Sequence, residues 1–435
     1  MDKTPAVSLQ VPARATFVPL VNTFVKNASL AFGLGEPEAL ALTLATEEIF
    51  VYLSQSAAPG CTVDISCASG CYYVRTVFEC ATQEFNLNAF NLTSTVSLDT
   101  ESGLAEMGLV LASRSVDRFQ VSRAPERGLR LTLIKEKSYP EAGAKHFAEL
   151  REMLRPYTTR APNAEEIKLL VQFANQVYPA HLLPAFLHYP GKVVDMIGAG
   201  EYQAAIVVGA KGQIGGAILW HWAGQKTVEC FGPYVFDTIP EIANTLLESC
   251  LGAIAKTRAV CLINRLPTPD LPQEHFEALG TLTLFNRDGA PESTTYLRHL
   301  QEDEGSMMWA HPDLEEFLRH EYRRHILPRD IVVVKNEMEA RPPFSVLSTE
   351  IDRMQNQVTL RPIWTGSDAG DNLRRHINLL QQEKLANVFF EMDLGESWQT
   401  DFTPALLECG FVPRLVLPYA GKGDLVIFQL GARPA

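Results

Sequence analysis

The chain has 435 residues, of which 46% are apolar and 20% charged, and its formal net charge is −13. These values exclude a disordered or collagen-like chain and a disulfide-stabilised miniprotein, and the length suits about three domains of roughly 150 residues each. Because an acidic chain repels phosphate backbones, we expect no nucleic-acid partner. Residues 1–5 are not followed by the apolar core of a signal peptide, and apolar stretches such as 204–208 are too short to span a bilayer. We therefore expect a cytoplasmic protein with no membrane segment.

The first predicted domain comprises residues 1–137. A helix begins at Glu36-Pro37, since proline is tolerated in a first turn, and stops before Pro59-Gly60. A hairpin follows, in which Val63, Ile65 and Cys67 alternate on the first strand. The pattern then predicts a helix at about 104–116 and a closing strand at 129–135.

Four cysteines lie in or beside this hairpin, at positions 61, 67, 71 and 80. They include no Cys-x-x-Cys pair and no histidine lies nearby, so the spacing does not favour a zinc site. We interpret them as buried thiols used as small strand residues, with a metal or redox role as the alternative.

The second and third predicted domains comprise residues 138–302 and 303–435. In the second, the pattern predicts helices at about 163–177, 239–256 and from Gln273 to Gly280, and strands at 202–209, 214–221, 227–235 and 259–264. In the third, it predicts strands at 331–334, 345–352, 357–362, 388–393, 414–417 and 424–429, and helices at 371–383 and 403–409. Both domains run from a strand through a loop into a helix and then a strand, which indicates a duplicated architecture. The fold class is therefore α/β (α+β).

Three stretches of the first domain resemble the GHKL ATP-binding domains, the histidine-kinase-like or Bergerat fold, in order and spacing: 42–49, 107–117 and 128–133. The closest branch is the anti-sigma-factor serine kinases. The resemblance implies an α/β sandwich in which Glu48 matches the catalytic glutamate, and Gly103 and Gly108 lie near the loop that binds phosphate.

Two parts of the GHKL site differ in this chain. Tyr52 occupies the position of the asparagine that holds magnesium, and residues 78–88 contain no Asp-x-Gly loop for adenine. ATP is therefore a disfavoured ligand, and we expect this domain to be regulatory or to bind a partner rather than to act as a kinase.

The second and third domains resemble the GNAT acyltransferase superfamily. The resemblance implies that backbone amides of one strand bind the pantetheine arm of coenzyme A, and that amides at the next helix N-terminus bind its pyrophosphate. In the second domain the loop at 236–241 has neither the arginine nor the glycines of the family. Its Asp237 and Glu241 oppose a pyrophosphate.

The third domain matches the GNAT pattern better, because a glycine-bearing loop joins its strand at 358–364 to a helix. The candidate residues for acetyl-CoA or acyl-CoA binding are Leu360, Arg361, Ile363, Gly366, Ser367, Gly370 and Asn372. An ordinary strand-to-helix turn is the alternative. Tyr419 is the tyrosine nearest the acid that protonates the leaving thiolate in this family, and a strand-end aromatic is its alternative.

We predict no metal site. His320 and His325 bracket a sequence similar to the His-Glu-x-x-His motif of zinc proteases. However, a spacing of five residues places them about 140° apart around a helix, so they do not share one metal-binding face.

Three functions follow from these patterns. The leading hypothesis is an acyl-CoA-binding, GNAT-like N-acyltransferase, in which an amine attacks the thioester and the N-terminal domain is regulatory. The alternative is a non-enzymatic signalling adaptor of the partner-switching, anti-sigma-factor-like kind, which binds a protein. The third is an ATP-binding serine or histidine kinase.

Overall fold

The computed structural model describes residues 5–56, 60–81, 85–94, 101–124, 128–142, 155–285, 289–335 and 341–431. Strands and helices alternate throughout these ranges, which confirms the α/β class. The chain forms two compact units. The first comprises Met1–Ser138, Arg341–Ser348 and Pro362–Asp368, and the second comprises Tyr139–Ala340, Thr349–Arg361 and Ala369–Ala435. The domain boundaries at 137/138 and 302/303 stay predictions.

The first unit contains an antiparallel sheet whose strands follow the order β1-β2-β3-β5-β4. These are β1 (Ala6–Pro12), β2 (Thr62–Ser69), β3 (Tyr73–Cys80), β4 (Arg118–Ala124) and β5 (Gly128–Glu136). Helices α1 (Val18–Ala31), α2 (Glu36–Ser56) and α3 (Glu101–Ser115) share its core. The predicted hairpin is confirmed, and the predicted helices correspond to α2 and α3. The strand β1 is not predicted, although Val7, Leu9 and Val11 alternate with Ser8 and Gln10; most of its residues are exposed.

In the second unit, residues 158–299 contain a seven-stranded sheet. Its strands follow the order β11-β12-β10-β9-β8-β7-β6. These are β6 (Thr158–Arg160), β7 (Tyr202–Val208), β8 (Ile214–Trp222), β9 (Thr227–Val235), β10 (Cys261–Asn264), β11 (Glu277–Thr283) and β12 (Glu292–His299). The helices are α4 (Ala164–Val177), α5 (Pro190–Gly198) and α6 (Ile242–Ile254). Strands β9 and β10 are parallel, and α6 connects them.

The helix predicted from Gln273 to Gly280 is wrong. A short 3-10 turn at Gln273–His275 leads directly into β11, which pairs with β12. The pairing partner lies further along the chain, so local sequence alone does not reveal that this segment is a strand.

The C-terminal part repeats this plan in a five-stranded sheet with the order β15-β16-β17-β19-β18. Its elements are β13 (Ser306–Ala310), α7 (Pro312–Arg324), β14 (Arg329–Val333), β15 (Val346–Asp352), β16 (Gln357–Trp364), α8 (Ala369–Gln382), β17 (Asn387–Asp393), α9 (Thr403–Glu408), β18 (Phe411–Leu417) and β19 (Leu425–Leu430). Strands β16 and β17 are parallel, and α8 connects them. In both sheets the last two strands form a hairpin whose second strand pairs with the parallel pair. This shared topology confirms the duplicated architecture.

Within the second unit, the two sheets share one apolar core. Leu279 of β11 and Leu297 of β12 belong to the same buried cluster as Leu415 of β18. A close backbone approach lies nearby, because a Cβ atom on Gly224 would lie only 1.9 Å from the carbonyl oxygen of Tyr419. The two halves of this unit therefore pack as one body.

We predict that Gly224→Ala lowers the free energy of unfolding by at least about 1–3 kcal/mol, the usual cost of overpacking, because its methyl group would collide with main-chain atoms. Gly252→Ala is the matched control, since a Cβ there has nothing within 4 Å and the position lies in α6. The control is expected to be neutral or to stabilise by up to about 1 kcal/mol. Urea unfolding of both variants checks this, and equal stabilities would contradict the close packing.

Candidate functional site

Two of the parallel strand pairs, β9–β10 and β16–β17, are joined over only part of the length of the first strand. Residues 227–229 pair with 261–263, and residues 357–360 pair with 387–390. Both β9 and β16 continue beyond these ladders, and each then contains a proline, Pro233 or Pro362. Because proline has no N–H, it is tolerated inside a sheet only where no ladder bond is needed. We call the stretch from Cys230 to Val235 the first divergent edge, and the stretch beginning at Arg361 the second.

Side chains of the protein itself occupy the first divergent edge. Asn264 Nδ2 donates to Gly232 O (2.8 Å), Thr268 Oγ1 donates to Pro233 O (2.7 Å), and the Val235 N–H donates to Tyr178 Oη (2.6 Å). Asn264 and Thr268 are 0% and 2% exposed. These bonds satisfy main-chain groups of β9 that lie beyond its ladder with β10.

The candidate coenzyme residues of the third predicted domain fall into both units. Leu360, Arg361, Gly370 and Asn372 belong to the second unit, and Ile363, Gly366 and Ser367 to the first. Leu360 is fully buried and ends the ladder with β17, so Arg361 is the first residue beyond it. Ile363 packs against the core of the first unit.

In the first unit, the loop that contains Gly366 and Ser367 is tied to the segment at 341–348. The Ser367 N–H donates to Pro342 O (2.8 Å), and Asp368 Oδ1 accepts from the N–H (2.6 Å) and hydroxyl (2.9 Å) of Ser345. A Cβ atom on Gly366 would lie 2.2 Å from the main chain of Phe344. The amide of Ser367 is therefore already paired.

The first turn of α8 offers a different set of donors. The first amides of a helix have no partner within the helix, and Gly370 lies among them. Arg374 lies close by, because a Cβ on Gly370 would be 3.7–3.8 Å from its guanidinium nitrogens. This guanidinium forms two ion pairs: Nη1 lies 2.8 Å from Asp371 Oδ1, and Nη2 lies 3.2 Å from Glu408 Oε2. The main-chain carbonyl oxygen of the buried Asn372 lies 2.9 Å from His376 Nδ1, within hydrogen-bond distance.

A series of alternating acidic and basic side chains, which the sequence does not predict, connects the two sheets of the second unit. Arg265 Nε lies 2.7 Å from Glu229 Oε1, Arg265 Nη1 lies 3.3 Å from Glu391 Oε1, and Arg361 Nε binds the other oxygen of Glu391. His221 and Glu350 lie at the ends of the chain. We call these six residues the charge chain. Glu229 is the one acidic residue of the apolar strand β9, and Glu391 lies between Phe390 and Met392 in β17. An acidic residue between apolar strand residues is the sequence signal that could have revealed both.

Burial and ion pairing have opposite effects on the pKa values of the two glutamates in this charge chain. Burial alone would raise the pKa of Glu229, but the charge of Arg265 and the hydrogen bond from His221 outweigh it and hold that pKa at about 2. Burial likewise acts to raise the pKa of Glu391, and Arg361 and Arg265 lower it overall. Both carboxylates are therefore ionised at neutral pH.

Tyr419 lies in a second buried cluster of the second unit. Its hydroxyl donates to Asp303, and its amide donates to Asp424 Oδ1 (2.8 Å). Arg329, whose side chain is 0% exposed, binds both carboxylates and stacks over the Tyr419 ring at 4.2 Å. Burial and Asp303 raise the pKa of Tyr419 to about 12. The phenol thus keeps its proton, as a general acid must. However, the hydroxyl already donates this proton in a hydrogen bond to Asp303.

In the first unit, α2 and α3 meet at Glu48. A Cβ on Gly108 would lie 2.2 Å from Glu48 Oε2, so the glycine permits close helix packing, and burial together with Glu47 raises the pKa of Glu48. Gly103 lies in the first turn of α3. The Tyr52 hydroxyl accepts from the Asn86 N–H (3.0 Å). Roles for Glu48, Gly103 and Gly108 in nucleotide binding stay predictions.

Several solved structures are similar to part of this chain, among them three acetyltransferases. They are a GNAT-family acetyltransferase from Staphylococcus aureus (12% identity, TM-score 0.25), aminoglycoside 6'-acetyltransferase type Ii (14%, 0.26) and a GCN5-related N-acetyltransferase from Kribbella flavida (11%, 0.27). The alignments cover 33–34% of this chain and 98–100% of theirs. Comparison with models of known protein families gives no match, and comparison with the curated proteins gives none either.

Membrane-spanning helices and metal-binding clusters are both absent from the described ranges. No helix there combines the length and apolarity needed to cross a bilayer. The same ranges contain no group of three or more His, Cys, Asp or Glu side chains arranged to hold a metal ion.

We predict that the pH dependence of stability reports on Glu229. Its pKa is lower in the folded protein than the ordinary 4.5, so its stabilisation is present above pH 4.5 and is lost as the pH falls towards 2. The difference corresponds to about 3 kcal/mol. Urea unfolding of Glu229→Gln between pH 7 and 2 is therefore expected to show a smaller acid loss than the parent protein.

Glu350→Gln is the control for this measurement, because its side chain is 69% exposed and is expected to change the acid profile little. Parallel acid profiles for Glu229→Gln and the parent protein would contradict the account of the buried pair.

Proposed function

We propose that the C-terminal part of this chain binds an acyl-CoA thioester and transfers the acyl group to an amine. In this proposal the coenzyme follows β16 beyond Leu360, and its pyrophosphate lies at the first turn of α8. The sequence resemblance of 358–372 to the GNAT strand, loop and helix supports the assignment. The observation that carries it is the contrast between the two divergent edges.

That contrast assigns different roles to the two halves of the second unit. The first divergent edge has its main-chain groups bonded to Asn264, Thr268 and Tyr178. The loop that follows it, residues 236–241, contains no glycine, whereas residues 365–372 contain Gly366 and Gly370. We therefore assign the half that contains β9 as scaffold and the half that contains β16 as the coenzyme-binding half.

The chemistry asked of this site is modest. An unprotonated amine attacks the thioester carbonyl and forms the C–N bond, and the oxygen becomes negatively charged. When the carbonyl re-forms, the C–S bond breaks and coenzyme A leaves as a thiolate, which takes up the proton that the nitrogen loses. Main-chain N–H donors beside the thioester stabilise that oxyanion. Amides at the start of α8, together with Arg374, stabilise the pyrophosphate charges.

Thermal unfolding with ligands tests the proposal. A ligand that binds only the native state stabilises it by mass action, by about 2.7 kcal/mol at a concentration 100 times its Kd. We expect acetyl-CoA to raise the midpoint and magnesium-ATP to leave it unchanged. No shift with millimolar acetyl-CoA would contradict the proposal and favour the adaptor hypothesis, whereas a shift with ATP alone would favour a nucleotide-binding first unit.

Gly370→Glu locates the coenzyme. An acidic residue is well tolerated near a helix N-terminus, but it would repel a pyrophosphate bound there. We expect isothermal titration to show at least tenfold weaker binding of acetyl-CoA with little change in stability. Gly252→Glu, which adds the same side chain at an open position of α6, is the control. Equal affinities for the two variants would contradict this placement of the pyrophosphate.

Tyr419 stays a candidate acid, and Tyr419→Phe tests that role. If the hydroxyl only stabilises the Asp303 cluster, the variant loses stability and retains its kcat. If the hydroxyl protonates the thiolate, kcat falls at least tenfold while the Kd for acetyl-CoA is unchanged. Because the phenol donates to Asp303, we expect the first result.

A further inference from the structure

Two cysteines of the first unit lie within contact distance without a bond between them. Cys61 Sγ and Cys80 Sγ are 3.5 Å apart, where Cys61 precedes β2 and Cys80 ends β3. The sulfurs of a disulfide are about 2.05 Å apart, so these two sulfurs would have to approach each other by about 1.5 Å to be joined. We propose that Cys61 and Cys80 form a reversible disulfide and act as a site of oxidative modification.

The backbone register explains why these two side chains meet. Val63 lies directly opposite Cys80 in the β2–β3 ladder, and Cys61 lies two residues before Val63, on the same face of the sheet. The Cys61 carbonyl accepts from the Ala13 N–H (2.9 Å), which holds its main chain beside β1. The pair is therefore positioned by the sheet.

The two thiols differ in a way that assigns their order of reaction. Cys61 is partly exposed, whereas Cys80 is buried. Burial, reinforced by Cys61, raises the pKa of Cys80 to about 12, so Cys80 stays protonated at neutral pH. An oxidant therefore reaches Cys61 first, and Cys80 is the resolving thiol.

A hydroperoxide is the oxidant in this reaction and accepts the two electrons that the thiols lose. The Cys61 sulfur attacks the peroxide, the O–O bond breaks, and the products are Cys61 sulfenic acid and an alcohol, or water when the oxidant is hydrogen peroxide. The Cys80 thiol then gives up its proton as its sulfur attacks the Cys61 sulfur; the S–S bond forms, the S–O bond of the sulfenic acid breaks, and the hydroxyl takes that proton and leaves as water. Two thiols lose two electrons and two protons in total, and an external thiol reverses the change.

The full-length protein, treated with hydrogen peroxide, tests the proposal. We expect two of the eight thiols to disappear together, non-reducing peptide mass mapping to show Cys61 linked to Cys80, and dithiothreitol to restore both. The thermal midpoint of the oxidised protein is expected to rise, since the bond constrains the unfolded chain.

Cys61→Ser should abolish the linked peptide and the rise in midpoint while leaving β3 intact. Cys71→Ser, an exposed cysteine of the same hairpin, is the control and should retain both. Oxidation of Cys61 to the sulfinic acid while Cys80 stays free, or linkage of Cys61 to any other cysteine, would overturn the proposal.

Discussion

A charge can be buried in a protein only if it is paired, because removing an ion from water costs several kcal/mol. The charge chain meets this requirement for Glu229 and Glu391, whose carboxylates lie in strands of two different sheets of the second unit. Arg265 binds both, so one guanidinium pairs with a carboxylate of each sheet. The charge chain therefore links β9 to β17 through Arg265.

The duplicated plan has diverged at the point where each parallel ladder ends. In the first half, Asn264 and Thr268 bind the main chain of β9 beyond its ladder with β10. In the second half, Arg361 follows the ladder directly and belongs to the charge chain. The two halves therefore share a topology but differ in their contacts, and our proposal places the coenzyme in the second.

The sequence is a good guide where the signal is local. Most of the strands of both sheets are predicted by apolar runs, and the capping box of Asn163 and Glu166 explains why α4 begins where the pattern indicates. The strand β11 is missed because Glu277, Ala278 and Leu279 are good helix formers, and the pairing with β12, the next strand, overrides that local preference. The charge chain is missed because Arg265 lies in a loop, and only the folded chain brings it between two carboxylates. Of the candidate site, the sequence locates β16 and α8, but it does not show that Ser367 is already paired or that the Tyr419 hydroxyl binds Asp303.

Hydrogen–deuterium exchange with and without acetyl-CoA tests the central claim most directly, because it locates the ligand on the full-length chain. The account predicts slower exchange at residues 361–374, which include the start of α8, and unchanged exchange at residues 230–241. Protection confined to residues 230–241 would contradict it, since the coenzyme would then occupy the half assigned as scaffold.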